Sequence, residues 1–245
     1  MTFIENFNEH SKQYIFSDNN FLLNEREKTF NKINLNDFEK KNNESLKNLT
    51  IADLNSFNYY FQPSKEKPKL NLVEKNVYEI NLINGRCSNY EDENLEIRNI
   101  LSNDLEKSKG YNTRDYNDIV IDYNTIFLNS GFFINVKSGS KIKINLNHTT
   151  SKEFTVFQNN FLIFQKNCEV ILEDNFSLNE NSLNNIRYNN TLEEGAKITQ
   201  NIFQNFSNSN KLFLTSSTIC KKNSNFAQNT FNFSQGFTRN YHDAN

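Results

Sequence analysis

The chain has no tryptophan, one methionine, and only 6 glycines, 2 prolines and 3 cysteines among its 245 residues. Each shortage excludes a class of chemistry. Phosphate loops need clustered glycines so that backbone N–H groups can approach the phosphates, and neither Gly-x-x-x-x-Gly-Lys-Ser/Thr nor Gly-x-Gly-x-x-Gly occurs. ATP hydrolysis is not expected. Cys87, Cys168 and Cys220 are too few and too widely spaced for a disulfide framework, and without Cys-x-x-Cys the usual zinc and iron–sulfur motifs are missing. The formal net charge of -2 gives no general reason to expect nucleic acid or an anionic membrane as a partner. No apolar run approaches membrane-spanning length, and Met1-Thr2-Phe3-Ile4-Glu5 lacks the basic and apolar regions of a signal peptide. The expected compartment is cytoplasmic.

Phenylalanine is abundant, at 23 residues with 10 tyrosines, and it falls in a pattern. From Ile119 to Phe233 short alternating segments follow one another: Ile119/Ile121/Tyr123, Phe132/Ile134/Val136, Ile142/Ile144/Leu146, Phe154/Val156 and Phe161/Ile163. Val170/Leu172, Ile186/Tyr188, Ile198/Ile202, Leu212/Leu214 and Phe231/Phe233 continue the series. Alternation marks a strand with one face buried, because successive side chains point to opposite sides. Ten such segments, roughly ten residues apart, predict a β domain built by repetition.

The breaks are rich in Asn and Ser: Asn129-Ser130-Gly131, Lys137-Ser138-Gly139-Ser140, Asn159-Asn160, Asn184-Asn185, Asn189-Asn190 and Asn208-Ser209-Asn210. Asn replaces Gly at left-handed positions because its short side chain bonds the local backbone. Tight-hairpin pairs, Asn-Gly and Asp-Gly, are absent from this stretch. Strands turning Asn-lined corners in one direction, as in a β-solenoid, fit better than a sandwich of hairpins.

Ahead of this stretch, residues 1 to about 61 read mainly as helices, with Phe3, Phe7 and Tyr14/Ile15 on one face and Phe30 with Ile33 on another. Pro63 and Pro68 mark a break. Val77 to Ile83 alternates as a strand ending at Asn84-Gly85, and the spacing of Leu95, Ile97, Ile100, Leu101 and Leu105 predicts a helix from Glu93 to Lys107. The implied organisation is a helical region (1–76), a strand-and-helix connector (77–116) and a β-helix core (117–245).

Candidate reactive groups read as structural. Cys168 and Cys220 fit small buried hydrophobes better than ligands, and His10, His148 and His242 fit surface positions. Glu193-Glu194 and Glu169/Glu173 are the best carboxylate pairs, yet solvated surface explains them better than acid–base work. No catalytic, cofactor-binding or metal residue is assigned.

The order of segments resembles the SufB/SufD family of iron–sulfur cluster assembly scaffolds, SufD more than SufB. Asn43-Glu44-Ser45-Leu46-Lys47-Asn48-Leu49-Thr50 before Ile51-Ala52-Asp53-Leu54 is similar to the SufD Glu-x-Trp-Lys-Tyr/Phe-Thr segment, with Leu46 for the Trp and one extra residue before Thr50. Ile80 to Gly85, Tyr123-Asn124 through Gly131 to Val136 with Ile142-Lys143-Ile144, and Asn160 to Phe164 through Cys168 to Glu173 follow in the family's order. Asn189 to Leu192 with Gly195 to Ile198, then Ser224-Asn225-Phe226 and Gly236-Phe237-Thr238-Arg239-Asn240, complete the match.

The resemblance implies a mainly β fold, a right-handed parallel β-helix behind a helical N-terminal region. It implies a non-catalytic scaffold working with a SufB-like subunit and a SufC-like ATPase, the complex assembling the iron–sulfur cluster. Family members continue past the Arg-Asn segment to helices that grip SufC, whereas this chain stops five residues after Asn240 and looks truncated or split. The family's interface Cys and His have no counterparts, so no functional residue carries over. Two other readings stand beside it: a structural or adaptor solenoid unrelated to iron, and a polysaccharide-acting β-helix enzyme. A solenoid stopped in mid-core is expected to expose Leu212/Leu214 and Phe226/Phe231/Phe233, and to aggregate or pair through its last coil.

Overall fold

A computed structural model describes residues 3–12, 14, 19–33, 68–100 and 118–244. The segment Asn43 to Leu54, the aromatic run Phe57 to Phe61, Pro63 and residues 101–117 lie outside the described residues. Strands dominate, wound into a parallel β-solenoid of about four turns with a few helices toward the N-terminus.

Helices α1 (Phe3–Ser11) and α2 (Asn20–Lys32) come first, α2 capped by Asn19, whose side chain accepts from the Leu22 N–H at 2.9 Å. Four strands follow: β1 (Leu70–Glu74), β2 (Val77–Ile83), β3 (Tyr90–Glu91) and β4 (Leu95–Asn99). After α3 (Ile119–Ile126) come β5 (Phe132–Val136), β6 (Lys141–Thr150), β7 (Thr155–Phe164), β8 (Glu169–Leu178) and β9 (Leu183–Leu192). Strands β10 (Lys197–Gln204), β11 (Lys211–Cys220), β12 (Asn225–Asn232) and β13 (Phe237–Ala244) complete the solenoid.

One sheet, the even-strand sheet, has the order β1-β2-β6-β8-β10-β12, and the other, the odd-strand sheet, runs β13-β11-β9-β7-β5-β4-β3 and takes in β4. From β5 onward every pair is parallel, and β2 joins β6 in parallel as well. Lys141 lies opposite Glu169 and Glu169 opposite Lys197, so one coil is 28 residues long and holds one strand in each sheet. The last coil is two residues shorter, pairing Lys211 with Phe237.

The corners repeat at half that period. Gly139, Glu153, Asn167, Asn181 and Gly195 all have positive φ at fourteen-residue steps, and Asn223 follows two steps on. Each is the third residue of a turn, and four of the amides reach the turn carbonyl one coil later: Gly139 N to Lys166 O at 2.9 Å, Glu153 N to Glu180 O at 2.9 Å, Asn167 N to Glu194 O at 3.1 Å and Gly195 N to Lys222 O at 3.1 Å, while Asn181 N donates to Ser209 Oγ at 3.2 Å. The residue closing each turn points inward, where Ser140, Cys168 and Ala196 stack as small buried groups at one corner. That position explains why Cys168 is buried.

Four sequence expectations are corrected. Asn159, Asn160, Asn184, Asn185, Asn189 and Asn190 are not turns but lie inside β7 and β9, so Phe154/Val156 and Phe161/Ile163 belong to one stretch. Ile119, Ile121 and Tyr123 sit in α3 rather than a strand, because Asp118 caps a helix whose two sides are both buried. Leu95 and Ile97 alternate into the core from β4, so no helix starts at Glu93, and residues 101–107 lie outside the described residues. Leu212 and Leu214 are fully covered by the last coil and Phe226 is half-buried against the core, whereas Phe231 and Phe233 are exposed, Phe231 because it continues the outer-face position of Phe203.

The main core fills the space between the two sheets with Phe132, Ile144, Leu146, Leu162, Phe164 and Leu172 among others. A second apolar layer covers the outside of the odd-strand sheet, where Val120, Tyr123 and Phe127 from the α3 region pack on Phe157, Leu183 and Phe213. Burying each such ring is worth about 1.5–3 kcal/mol, which fixes the helices to that face. The outer face of the even-strand sheet has no such cover among the described residues.

Candidate functional site

Inward positions on four strands bring a polar cluster into the middle of the solenoid. Asp174 alternates with Leu172 and Phe176 on β8, and His148 with Leu146 and Thr150 on β6. Tyr188 enters from the facing sheet on β9, and Gln200 comes from the next coil on β10. Asp174 Oδ1 accepts from the Tyr188 hydroxyl at 2.9 Å and lies 3.1 Å from His148 Nε2. The Tyr188 oxygen is also 3.1 Å from His148 Nε2. Gln200 Nε2 donates to Asp174 Oδ2 at 2.5 Å, and Gln228 Nε2 donates to Gln200 Oε1 at 2.9 Å. Asp174, Tyr188 and Gln200 are at 0% exposure and His148 at 4%. Burial first, and the Asp174 charge second, push the Tyr188 phenol well above its usual range. The His148 ring stacks on Phe176 at 4.3 Å and lies tilted toward Phe132.

The opposite end of interest is the last coil. Strands β12 and β13 each have a strand neighbour on one side alone among the described residues. Their inward rows, in register with the core, turn polar beyond Phe226, which continues Ile198: Gln228 and Thr230 continue Gln200 and Ile202, and Asn240 and His242 continue Leu214 and Ser216. Gln204 Nε2 donates to Asn240 Oδ1 at 2.9 Å across the interior. Phe231 stacks on Phe203 with centroids 5.0 Å apart, and Phe233 is 69% exposed. Arg239 reaches back from β13 to the α3 cap, with its two guanidinium nitrogens 2.5 and 3.3 Å from the Asp118 carboxylate. This fork fixes the last strand to the helical layer.

The carboxylate pairs lie on the surface in ion pairs: Glu169 with Lys141 at 3.2 Å, Glu173 with Lys143 at 2.9 Å, Glu193 with Lys221 at 2.6 Å and Glu194 with Lys166 at 3.7 Å. Such exposed pairs stabilise by about 0–1 kcal/mol and do not converge on a cleft. Cys87 and Cys168 are buried, and burial pushes their thiols up to about 12 and about 11. Cys220 is exposed, against expectation, because β11 outruns the cover of the last coil there. His10 and His148 are buried rather than at the surface, and His242 is exposed. No group of three or more His, Cys, Asp or Glu placed to hold a metal occurs among the described residues. No helix among them is long and apolar enough to cross a membrane.

The structure thus defines a parallel β-solenoid with a buried polar cluster. Searches of family models, curated proteins and solved structures found no match to the chain.

Proposed function

We propose that the chain is a non-catalytic, SufD-like scaffold component of a cytoplasmic iron–sulfur cluster assembly complex. In this reading it pairs its last coil with a SufB-like subunit and works beside a SufC-like ATPase, and the cluster is cargo of the complex. The observation that supports it is the last coil itself. Among the described residues strands β12 and β13 have no strand on their outer side, above an inward row that mixes Phe226 with Gln228, Thr230 and Asn240 and beside the exposed Phe231 and Phe233. An unpaired edge of two parallel sheets is a template for the strands of another solenoid. A polar inward row suits a surface that is wet before the partner docks.

Co-expression with SufB- and SufC-like subunits tests it. The expected result is one complex eluting together in gel filtration, weakened when Phe231→Lys and Phe233→Lys are combined. A chain that elutes by itself while the SufB-like and SufC-like subunits assemble without it would overturn the reading in favour of an unrelated adaptor.

A further inference from the structure

We infer that His148, Asp174 and Tyr188 form a cation site inside the solenoid, built for a first-row divalent transition-metal ion held by one nitrogen and two oxygens. The inference rests on the core cluster alone and is independent of the assembly role. His148 Nε2, Asp174 Oδ1 and the Tyr188 oxygen form a triangle with sides of 3.1, 2.9 and 3.1 Å. Two protons at most, one on the phenol and one on Nε2, serve those three contacts, so at best one proton is shared between two acceptors in a bent three-centre bond. A single positive centre satisfies all three. Donors at right angles around a cation, with bonds of about 2.1 Å, stand about 3 Å apart, which is the spacing seen.

Three further features fit a site. The second carboxylate oxygen is held by Gln200, itself held by Gln228, as outer-shell amides orient metal-bound carboxylates. Asn190, two residues along the same inward face from Tyr188, keeps a buried Oδ1 acceptor with no partner. Charge also balances. A dication that displaces the phenol proton to solvent meets one phenolate and one carboxylate, leaving a neutral buried site. Imidazole with two oxygen donors suits zinc, cobalt, iron or manganese ions. The inward row Tyr188–Ser216–His242 leads from the site to the last coil.

The test uses the full chain with Cys220→Ser, which removes the exposed thiol, and Zn(II) and Co(II) as probes. Equilibrium dialysis is expected to retain about one ion per chain, with a tyrosinate difference spectrum on binding and an affinity rising about tenfold per pH unit for the one proton released. Tyr188→Phe and Asp174→Asn are each expected to weaken binding by at least the roughly 10–100-fold that loss of an outer-shell partner costs, while Glu173→Gln on the outer face of the same strand leaves it unchanged. Should a core variant fail to fold, the tyrosinate signal of the parent chain decides. No retained ion, retention without that signal, or binding indifferent to Tyr188→Phe would overturn the inference and make the cluster a purely hydrogen-bonded core group.

Discussion

His10 lies edge-on against the Phe127 ring at 5.4 Å, with the Arg26 guanidinium 3.5 Å from its Nδ1 and the Tyr14 ring at 5.8 Å. Arg26 is itself buried, stacked over Phe7 and donating to the Ile126 carbonyl at the end of α3 at 2.7 Å. Burial, then the Arg26 charge, lower the His10 pKa from 6.5 to about 3. The native chain therefore binds fewer protons than the unfolded one between those values. Stability from this packing is full above pH 6.5 and falls as the pH drops toward 3, by at most about 1.4 kcal/mol per unit. Urea midpoints at pH 7 and pH 5 should differ by about 2 kcal/mol in stability, and His10→Gln should flatten the difference. An unchanged pH dependence in the variant would assign the effect to other groups.

Within elements, the left-handed corners carry the repeat. Asn and Gly occupy these positions at little cost, but Glu153 holds φ +58° with a side chain that gains nothing there. Glu153→Asn should raise stability by about 0.5–1 kcal/mol in thermal unfolding, since the Glu153 amide bond to Glu180 is kept. A lower midpoint would mean that the Glu side chain has a role at the corner. The same corners show what the sequence made legible. Alternation in β6 and β8 was readable because their outer faces are solvated, and left-handed Asn at the turns was readable from residue type. Asn pairs inside β7 and β9 misled because their outer face is roofed by α3: Asn124 Nδ2 donates to the Asn185 carbonyl at 2.8 Å, and Asn185 Nδ2 to the Val120 carbonyl at 2.7 Å. Those amides serve a buried contact instead of a bend. The polar cluster was hidden by distance along the chain. His148 and Asp174 meet only once the 28-residue coil sets their register, although polar residues at core positions between Leu172 and Phe176, and after Leu146, were the available signal.

For the whole molecule, the two faces and two ends of the solenoid differ in kind. The odd-strand sheet is roofed by helices, the even-strand sheet carries a lattice of exposed ion pairs and asparagine ladders, and among the described residues no strand lies beyond β12 and β13. Asn147 Nδ2 to Asn81 Oδ1 and Asn175 Nδ2 to Asn147 Oδ1, both 3.1 Å, tie successive coils on the open face. These side chains satisfy one another along the solenoid, so among the described residues the outer side of β12 and β13 has most to gain from a partner. Backbone amide exchange, followed by mass spectrometry with and without the SufB-like subunit, tests this most directly. The account predicts slowed exchange across residues 225–244 on mixing, with β6 to β10 unchanged. Complex formation that leaves those two strands exchanging at their free rate, or that protects another face instead, would contradict it.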